Sequence, residues 1–263
     1  MDREIATLDS SSRYLFLAAH PDDEIAIAGT IQMLVERGAE VHCAWATSGG
    51  YFGKADVREA EVARTAQILG LNDGLVDLLR MPDLGLLGML DQAADNVAEV
   101  VGRIKPGKIF CDAFEGGHPD HDSVNFLAYE GSFRAGVRAE LFEFPLYNAT
   151  GPLHRLGWRI NTFPPGGPKV LYNPLTEAAI QARLRMMMAY SSQWMYMVPA
   201  RLAISRRRLA AVGEPYRPCP PDRDHSIRPH QGTLSYERWF NWFMRTTFSD
   251  FREAVIKARR ARA

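Results

Sequence analysis

Five short apolar segments alternate with amphipathic segments over the first 148 residues, and this alternation limits the fold more than any other feature. The apolar segments predict strands at 13–19, 39–48, 74–81, 108–114 and 140–148. The intervening segments have helical spacing and predict helices at 24–38, 56–70, 90–104 and 121–136. Strands that are apolar throughout and alternate with helices are typical of a parallel sheet covered on both faces. We therefore expect a Rossmann-like, doubly wound α/β fold with a mainly parallel sheet.

The pattern changes after residue 148, where Pro and Gly become frequent. The predicted elements are a helix that begins at Thr176, a Pro-rich irregular segment at 215–232 and a closing helix over 234–263. We therefore expect one domain over 1–263. It would consist of a core at 12–148 and an irregular and helical C-terminal extension at 149–263.

Composition argues against several classes of protein. The chain has 31 basic and 31 acidic residues and a formal net charge of zero, which gives no electrostatic reason to expect nucleic acid as a partner. Its three cysteines form no CxxC pair, so neither a thiolate zinc site nor a disulfide framework is indicated. No apolar stretch is long enough to span a bilayer, and the N-terminus lacks the apolar core of a signal peptide. We expect a cytoplasmic protein, and a homo-oligomer remains open.

Two clusters of metal-ligand residue types follow the first and fourth predicted strands. "HPDDE" begins at His20, and "HPDH" begins at His118 and ends at His121. Each cluster alone could be a helix cap or a turn. Because the carboxyl ends of parallel strands meet at one edge of the sheet, both clusters should lie at the same edge. Together they indicate a metal site.

The spacing within the clusters suits a hydrolytic zinc, which needs three protein ligands and an open position for water. His20 and Asp23 are three residues apart at the start of a helix, so their side chains can face one point. Pro21 would fix the turn between them. Gly116 and Gly117, just before the second cluster, leave the backbone room to approach the site.

These motifs resemble a known family. "AAHPDDE" at 18–24 and "GGHPDH" at 116–121 are similar to the paired motifs of the LmbE-like, or PIG-L, family of zinc-dependent N-deacetylases. The segment "TSGG…REAE…ILG" (47–70) and the later "AYSSQ" (189–193) also resemble that family. The resemblance is strong over 14–147 and weaker beyond.

The resemblance implies a role for each of several residues. These are His20, Asp23 and His121 as the metal ligands, Asp22 as the general base, His118 as the oxyanion donor, Asp120 as the residue that orients a histidine ring, and Arg58 as a substrate contact. The implied metal is zinc, with iron(II) as the alternative in the cell. A zinc-bound water would attack the amide, and Asp22 would return its proton to the departing amine.

Two positions leave part of this scheme open. Some family members have a Tyr two residues before the first His of the second motif, where this chain has Gly116. Either another side chain substitutes, or the metal and His118 stabilise the oxyanion alone. Arg58 could instead be a helix-surface residue paired with Glu61 or Glu59.

The implied activity is hydrolysis of an N-acyl group, most often acetyl, from a small amino-sugar-like substrate. An amidase acting on a non-sugar N-acyl intermediate of secondary metabolism is the alternative. A non-catalytic nucleotide-binding module is disfavoured, because no G-x-G-x-x-G follows the first predicted strand. We further expect the segments 151–170 and 215–232 to cover the metal cleft, with His225 and His230 as candidate substrate contacts.

Overall fold

The computed structural model describes residues 8–50, 53–150, 159–238 and 245–261. Seven described strands form the main sheet: β1 (Arg13–Ala18), β2 (Glu40–Thr47), β3 (Val76–Met81), β4 (Lys108–Asp112), β5 (Glu140–Phe144), β8 (Leu171–Asn173) and β9 (Glu214–Pro218). Their order across the sheet is β3-β2-β1-β4-β5-β9-β8. The first five are parallel, whereas β9 and β8 are antiparallel to their neighbours. Two further strands, β6 (Tyr147–Asn148) and β7 (Arg159–Ile160), pair separately.

Helices cover both faces of the sheet. In chain order they are α1 (Ala28–Glu36), α2 (Ala55–Leu69), α3 (Leu90–Ile104), α4 (Pro119–Arg134), α5 (Glu177–Ala189), α6 (Trp194–Ala203), α7 (Arg206–Val212), α8 (Ser235–Arg238) and α9 (Phe248–Ala261). Successive side chains of β1 point to opposite faces. Leu15 and Leu17 share a buried cluster with residues of α3, α4 and α9. Tyr14 and Phe16 share another with residues of α1, α2 and α5. The expected doubly wound α/β fold is confirmed.

The strand order reverses at the pair formed by β1 and β4. These strands are parallel neighbours in the sheet, with Leu17 opposite Cys111, although the chain visits β2 and β3 between them. Ligands of open α/β sheets bind beyond the carboxyl ends of the strands at such a reversal. The loops after β1 and β4, which contain the two His-Pro-Asp clusters, both begin at this point.

The predicted fifth strand, 140–148, is wrong as a single element. Its first part is β5, which ends at Phe144, and its last two residues are β6 in the separate two-stranded sheet. Pro145 lies at the break, and a proline has no N–H to donate to a strand ladder.

Two predictions for the C-terminal extension are also wrong. The segment 215–232 is not wholly irregular, because 215–218 belongs to β9, which lies between β5 and β8. The closing helix is not continuous, since 245–247 are not helical. Thr247 and Asp250 begin α9 with reciprocal side-chain-to-backbone hydrogen bonds, an arrangement that caps a new helix. The expected helix at Thr176 is confirmed, and its hydroxyl accepts a hydrogen bond from the Ala179 N–H at 3.2 Å.

A buried carboxylate joins β9 to the start of α1. Glu214 accepts hydrogen bonds from the backbone N–H groups of Gly29 and Thr30, at 2.9 and 2.7 Å, and from the Thr30 hydroxyl. It also pairs with Arg183 of α5 at 2.8 Å, and both side chains are fully buried. The C-terminal extension is thus bonded directly to the helix that follows the first His-Pro-Asp cluster.

We predict that Glu214→Gln lowers the free energy of unfolding by about 3–5 kcal/mol, because it leaves the Arg183 guanidinium buried without a counter-charge. Urea denaturation monitored by circular dichroism measures this change. Glu177→Gln is the control, since Glu177 pairs with Arg206 at the surface and should lose at most about 1 kcal/mol. A loss in Glu214→Gln no larger than in the control would contradict the argument.

Candidate metal centre

Three side chains from the two clusters meet at the edge of the sheet. His20 Nδ1 lies 3.2 Å from Asp23 Oδ2 and 3.2 Å from His121 Nε2. His121 Nε2 lies 3.3 Å from Asp23 Oδ1. The side chains of His20 and Asp23 are 12% and 10% exposed, and that of His121 is 3% exposed. The three side chains therefore form a triangle in a nearly buried site, although His20 and His121 are about a hundred positions apart. Each oxygen of Asp23 faces one of the two histidines.

This triangle has the dimensions of a metal site. Tetrahedral zinc holds nitrogen and oxygen ligands at about 2.0–2.1 Å, which separates the ligand atoms by about 3.3–3.4 Å. The three separations of 3.2, 3.2 and 3.3 Å are close to this value. Two imidazole nitrogens and a carboxylate are also a donor set that zinc commonly takes. The residues present therefore fit a divalent metal.

The turn after β1 is held by buried carboxylates. The Asp23 carboxylate accepts the backbone N–H of His20 at 2.7 Å, and Asp112, at the end of β4, accepts that of Ala19 at 2.8 Å. Glu24 accepts hydrogen bonds from the Asp22 N–H, the Trp45 indole and the Tyr190 hydroxyl. These bonds fix the direction in which His20 and Asp23 point.

Asp22 is paired with Arg58. Its backbone has φ 108°, in the left-handed region that a non-glycine residue adopts only under strong local restraint. Asp22 Oδ1 accepts a hydrogen bond from Arg58 Nη2 at 2.9 Å. Burial raises the pKa of Asp22 to about 7, although the positive charge of Arg58 acts in the opposite direction. The site therefore holds a carboxylate of nearly neutral pKa beside the triangle.

Arg58 is not the surface residue that the helical pattern allowed, because only 2% of it is exposed. Its second nitrogen, Nη1, contacts Glu61 and Ser192 at 3.3 Å each. The expected pairing with Glu61 is therefore present, whereas Glu59 pairs with Arg80. Gly49 (φ 59°) lies against this guanidinium, and a Cβ there would come within 3.0 Å of Arg58 Nε. The contact to Asp22, rather than to solvent, determines the orientation of Arg58.

The second cluster begins α4, with His118 as its N-cap. His118 Nδ1 accepts the backbone N–H of Asp120 at 3.1 Å, so the ring proton lies on Nε2. Burial lowers the pKa of His118 well below its usual value, and the charges of His20 and His121 act in the same direction. The ring packs edge-on against His20, with 4.8 Å between the ring centres. His118 is thus a neutral hydrogen-bond donor beside the triangle.

Asp120 lies behind the triangle. Its Oδ2 is 3.2 Å from His20 Nε2, the ring nitrogen that faces away from Asp23 and His121. Asp83, from the loop after β3, reaches the same nitrogen at 3.1 Å. The sequence-based expectation paired Asp120 with a histidine ring, and in the structure that ring is His20.

The family comparison agrees with this geometry. The family model for PIG-L, GlcNAc-PI de-N-acetylase, matches residues 15–131, a range that includes both clusters. Residues 15–131 of this chain are therefore similar to the PIG-L family. A curated relative, the 1D-myo-inositol 2-acetamido-2-deoxy-alpha-D-glucopyranoside deacetylase of Mycolicibacterium smegmatis, is 33% identical over 144 residues. That alignment covers 42% of this chain and 50% of the relative, so the chain spans half the length of the relative that it matches.

Solved structures share the fold. N,N'-diacetylchitobiose deacetylase from Pyrococcus horikoshii superposes with a TM-score of 0.59 at 18% identity, covering 80% of this chain and 84% of the other. The zinc-inhibited form of a teicoplanin deacetylase superposes with a TM-score of 0.60 at 13% identity, covering 79% and 99%. Among the described residues of this chain, no helix is both long and apolar enough to cross a membrane.

Three residues near the candidate metal site were missed by the sequence analysis. Asp83 follows β3 in "MPDLG", and Asp112 ends β4, so both come at the same edge of the sheet as the two clusters. Tyr147 packs edge-on against His121, with 5.4 Å between the ring centres. Asp83 and Asp112 could have been found from the sequence, because each lies at the carboxyl end of a predicted parallel strand.

The absence of a tyrosine at Gly116 has a steric reason. Gly116 has φ 68°, and a Cβ there would lie 2.4 Å from a Leu234 methyl carbon. A Cβ on Gly117 would lie 2.1 Å from the backbone oxygen of Tyr147. A side chain at either position would therefore require this loop or its neighbours to shift.

The two histidines of the segment 215–232 differ in their surroundings. His225 is fully buried, packs against Phe114, Phe126 and Tyr129, and bonds to Asn125, so the expectation of a substrate contact there is wrong. His230 lies next to the second cluster and bonds to the Glu115 carbonyl at 3.1 Å. It borders an open cavity of about 590 Å³, whose lining includes Thr150, Pro165 and Thr233. Residues 151–158, part of the other expected covering segment, lie outside the described residues.

We predict that the purified protein contains one divalent metal per chain and that His121→Ala removes it, because two remaining ligands hold zinc poorly. Elemental analysis of protein dialysed against metal-free buffer measures the content. His42→Gln is the control, since His42 bonds to Glu40 at the far end of β2. Full metal retention in both His20→Ala and His121→Ala would contradict the ligand set.

Proposed function

We propose that the protein is a metal-dependent N-deacetylase that hydrolyses an N-acyl group, with acetyl as the proposed acyl group, on a small amino-sugar-like substrate. The observation that carries this proposal is the triangle of His20, Asp23 and His121, with an unligated carboxylate, Asp22, beside it. Three ligand side chains and a separate base are the parts that a mononuclear metallohydrolase needs.

In this proposal, His20, Asp23 and His121 hold the metal, which is zinc or, in the cell, iron(II). A divalent ion in such a site lowers the pKa of a coordinated water and polarises the carbonyl that is attacked. The separations between the ligand-type atoms of these three side chains support this assignment. The zinc-inhibited form of the structurally similar teicoplanin deacetylase is consistent with zinc binding in this fold.

Asp22 acts as the general base in this scheme. It accepts a proton from the attacking water and returns it to the nitrogen of the departing amine. A base is most effective when its pKa lies near the working pH, and that of Asp22 is about 7. The hydrogen bond from Arg58 orients one oxygen of the carboxylate and leaves the other free to meet the water. Arg58, which the resemblance suggests as a substrate contact, acts in this scheme by positioning Asp22.

His118 stabilises the oxyanion that forms when water adds to the amide. Its Nδ1 is occupied by the Asp120 N–H, so Nε2–H is the group that can donate. A donor held in place before the reaction stabilises developing charge without having to reorganise. Asp120 orients the His20 ring from behind, as a carboxylate on the far nitrogen of a metal-binding imidazole commonly does.

Amino-sugar substrates are supported by the relatives. The curated relative is named as a deacetylase of an inositol-linked acetamido sugar, and one structural neighbour as a deacetylase of N,N'-diacetylchitobiose. We further propose that 1–263 is a single functional domain and that 149–263 forms much of the substrate wall. The bond between His230 and the Glu115 carbonyl, close to the second cluster, supports that role for the extension.

One observation favours the alternative of a non-sugar N-acyl substrate. Ser192, which contacts Arg58, is followed closely by Trp194, Met195 and Tyr196, whose exposed fractions are 64%, 66% and 56%. An apolar surface this close to the site would suit a substrate with an apolar substituent.

A substrate panel tests the proposal. Metal-loaded protein is incubated with an inositol-linked N-acetylglucosamine, with N,N'-diacetylchitobiose and with non-sugar N-acyl amines that have apolar substituents. Acetate and primary amine are both measured. Release of acetate and an amino sugar in equal amounts would support the first proposal, and release from the non-sugar amides alone would favour the alternative.

We predict that Asp22→Asn lowers kcat by roughly 10²–10⁴-fold, because the amide cannot take up the proton of the attacking water. Metal content, measured in parallel, should not change. Asp222→Asn serves as the control, since Asp222 is an exposed carboxylate outside the site. Loss of metal in Asp22→Asn would show instead that Asp22 is a ligand.

We predict that His118→Ala lowers kcat by about 10²–10³-fold, the usual cost of losing one oxyanion donor. The metal should again be retained, because the role assigned to His118 is hydrogen bonding. Steady-state kinetics and elemental analysis of the same preparation make the comparison. Loss of the metal would contradict the role, since His118 lies close enough to His20 and His121 to be a ligand itself.

A further inference from the structure

Two carboxylates converge on a single ring nitrogen of His20. His20 Nε2 lies 3.1 Å from Asp83 Oδ1 and 3.2 Å from Asp120 Oδ2. The Asp83 side chain is 14% exposed and that of Asp120 is 1% exposed, so both belong to the interior of the site. One N–H group thus faces two acceptors, and Asp83 is the acceptor that neither cluster contains.

The loop that contains Asp83 is tightly held. It turns after β3, with the Gly85 N–H bonded to the Pro82 carbonyl at 3.0 Å. Leu84 has φ 60°, a left-handed conformation that is unfavourable for a bulky side chain. Its N–H donates to Asp120 Oδ2 at 2.7 Å. A strained residue next to Asp83, fixed by a second carboxylate of the same site, indicates that the position of Asp83 is specified.

The direction of the His20 ring explains what this position does. Nδ1 faces Asp23 and His121, so Nδ1 is the nitrogen that would bind a metal and must carry no proton. The ring proton is then on Nε2. A carboxylate on that nitrogen fixes the tautomer and the rotation of the ring and makes Nδ1 a stronger donor. Asp120 accepts the Leu84 N–H with the same oxygen, Oδ2. One oxygen therefore accepts hydrogen bonds from two donors, and Asp83 is a second acceptor for the His20 ring.

We propose that Asp83 is a positioning residue that, together with Asp120, fixes the orientation and tautomer of His20 for metal binding. This inference depends on the metal site of the proposed function and not on the identity of the substrate. The loop after β3 thereby joins the loops after β1 and β4 in building the metal centre.

The test measures metal affinity without any substrate. Asp83→Ala and Asp83→Asn are stripped of metal, and Zn²⁺ affinity is determined by competition with a chromophoric chelator. We expect Asp83→Ala to bind Zn²⁺ about 10–100-fold more weakly, the usual effect of removing a partner of a metal-binding histidine. Asp83→Asn should recover part of this loss, because its amide oxygen can still accept the Nε2 proton. Asp73→Ala is the matched control, an exposed aspartate just before β3.

Two further measurements separate positioning from other roles. The visible spectrum of the Co²⁺-loaded protein should change in Asp83→Ala if the His20 ring turns. In a cycle with Asp120→Asn, the two losses of affinity should not multiply, because both residues act on one ring. Circular dichroism establishes that each variant is folded.

Unchanged Zn²⁺ affinity and an unchanged Co²⁺ spectrum in both Asp83 variants would overturn the inference. If KM alone then increased, Asp83 would be a substrate contact. The variant could bind Zn²⁺ more weakly while the unmodified protein deacetylates none of the substrate panel. That result would support the inference and contradict the proposed substrate.

Discussion

The parallel pairing of β1 with β4 is the constraint on which the rest of the site depends. It brings the residue after β1 next to the last residue of β4, where Asp112 accepts the Ala19 N–H at 2.8 Å. Because the loops after β1 and β4 begin side by side, the side chains of His20, Asp23 and His121 lie close together. A shift of one residue in this register would turn alternate side chains to the wrong face and move the two loops apart.

The cost of this arrangement is the burial of several acidic groups in a small volume. Burial raises the pKa of Glu24 and, to about 8, that of Glu115. Hydrogen bonds from backbone N–H groups, hydroxyls and the Trp45 indole offset part of the cost. Arg58 offsets the cost of burying the Asp22 carboxylate, and the imidazoles of His20 and His121 offset that of burying Asp23. A divalent cation would neutralise more of this charge, so the folded protein and its metal are expected to stabilise each other.

Much of this organisation could be predicted from the sequence, because the relevant signals are local. The strands of the core are continuous apolar runs, and Gly70, with φ 77°, ends α2 as its position suggested. The clusters at His20 and His118 combine residue types that packing alone does not explain. The topological rule for parallel sheets then predicts that both lie at one edge of the sheet.

What could not be predicted depends on contacts between distant segments. Asp83 lies in a short turn sequence, and only its contact with His20, from a different loop, indicates a role for it. Arg58 looks like a surface residue of α2, because its partners Asp22 and Ser192 come from elsewhere. Strand β9 contains Pro215 and Pro218, residues that argue against a strand, yet β5 and β8 hold it from both sides.

The bonds of Glu214 have a consequence for how this protein can be divided. The family match ends at residue 131, yet the N–H groups of Gly29 and Thr30 are satisfied by a carboxylate more than eighty positions beyond that limit. A fragment cut where the sequence similarity stops would leave those donors unpaired and one face of the sheet uncovered. The region that the family model matches is therefore smaller than the region that these bonds hold together. A chimaera that takes both His-Pro-Asp motifs from this chain would also need to include β9.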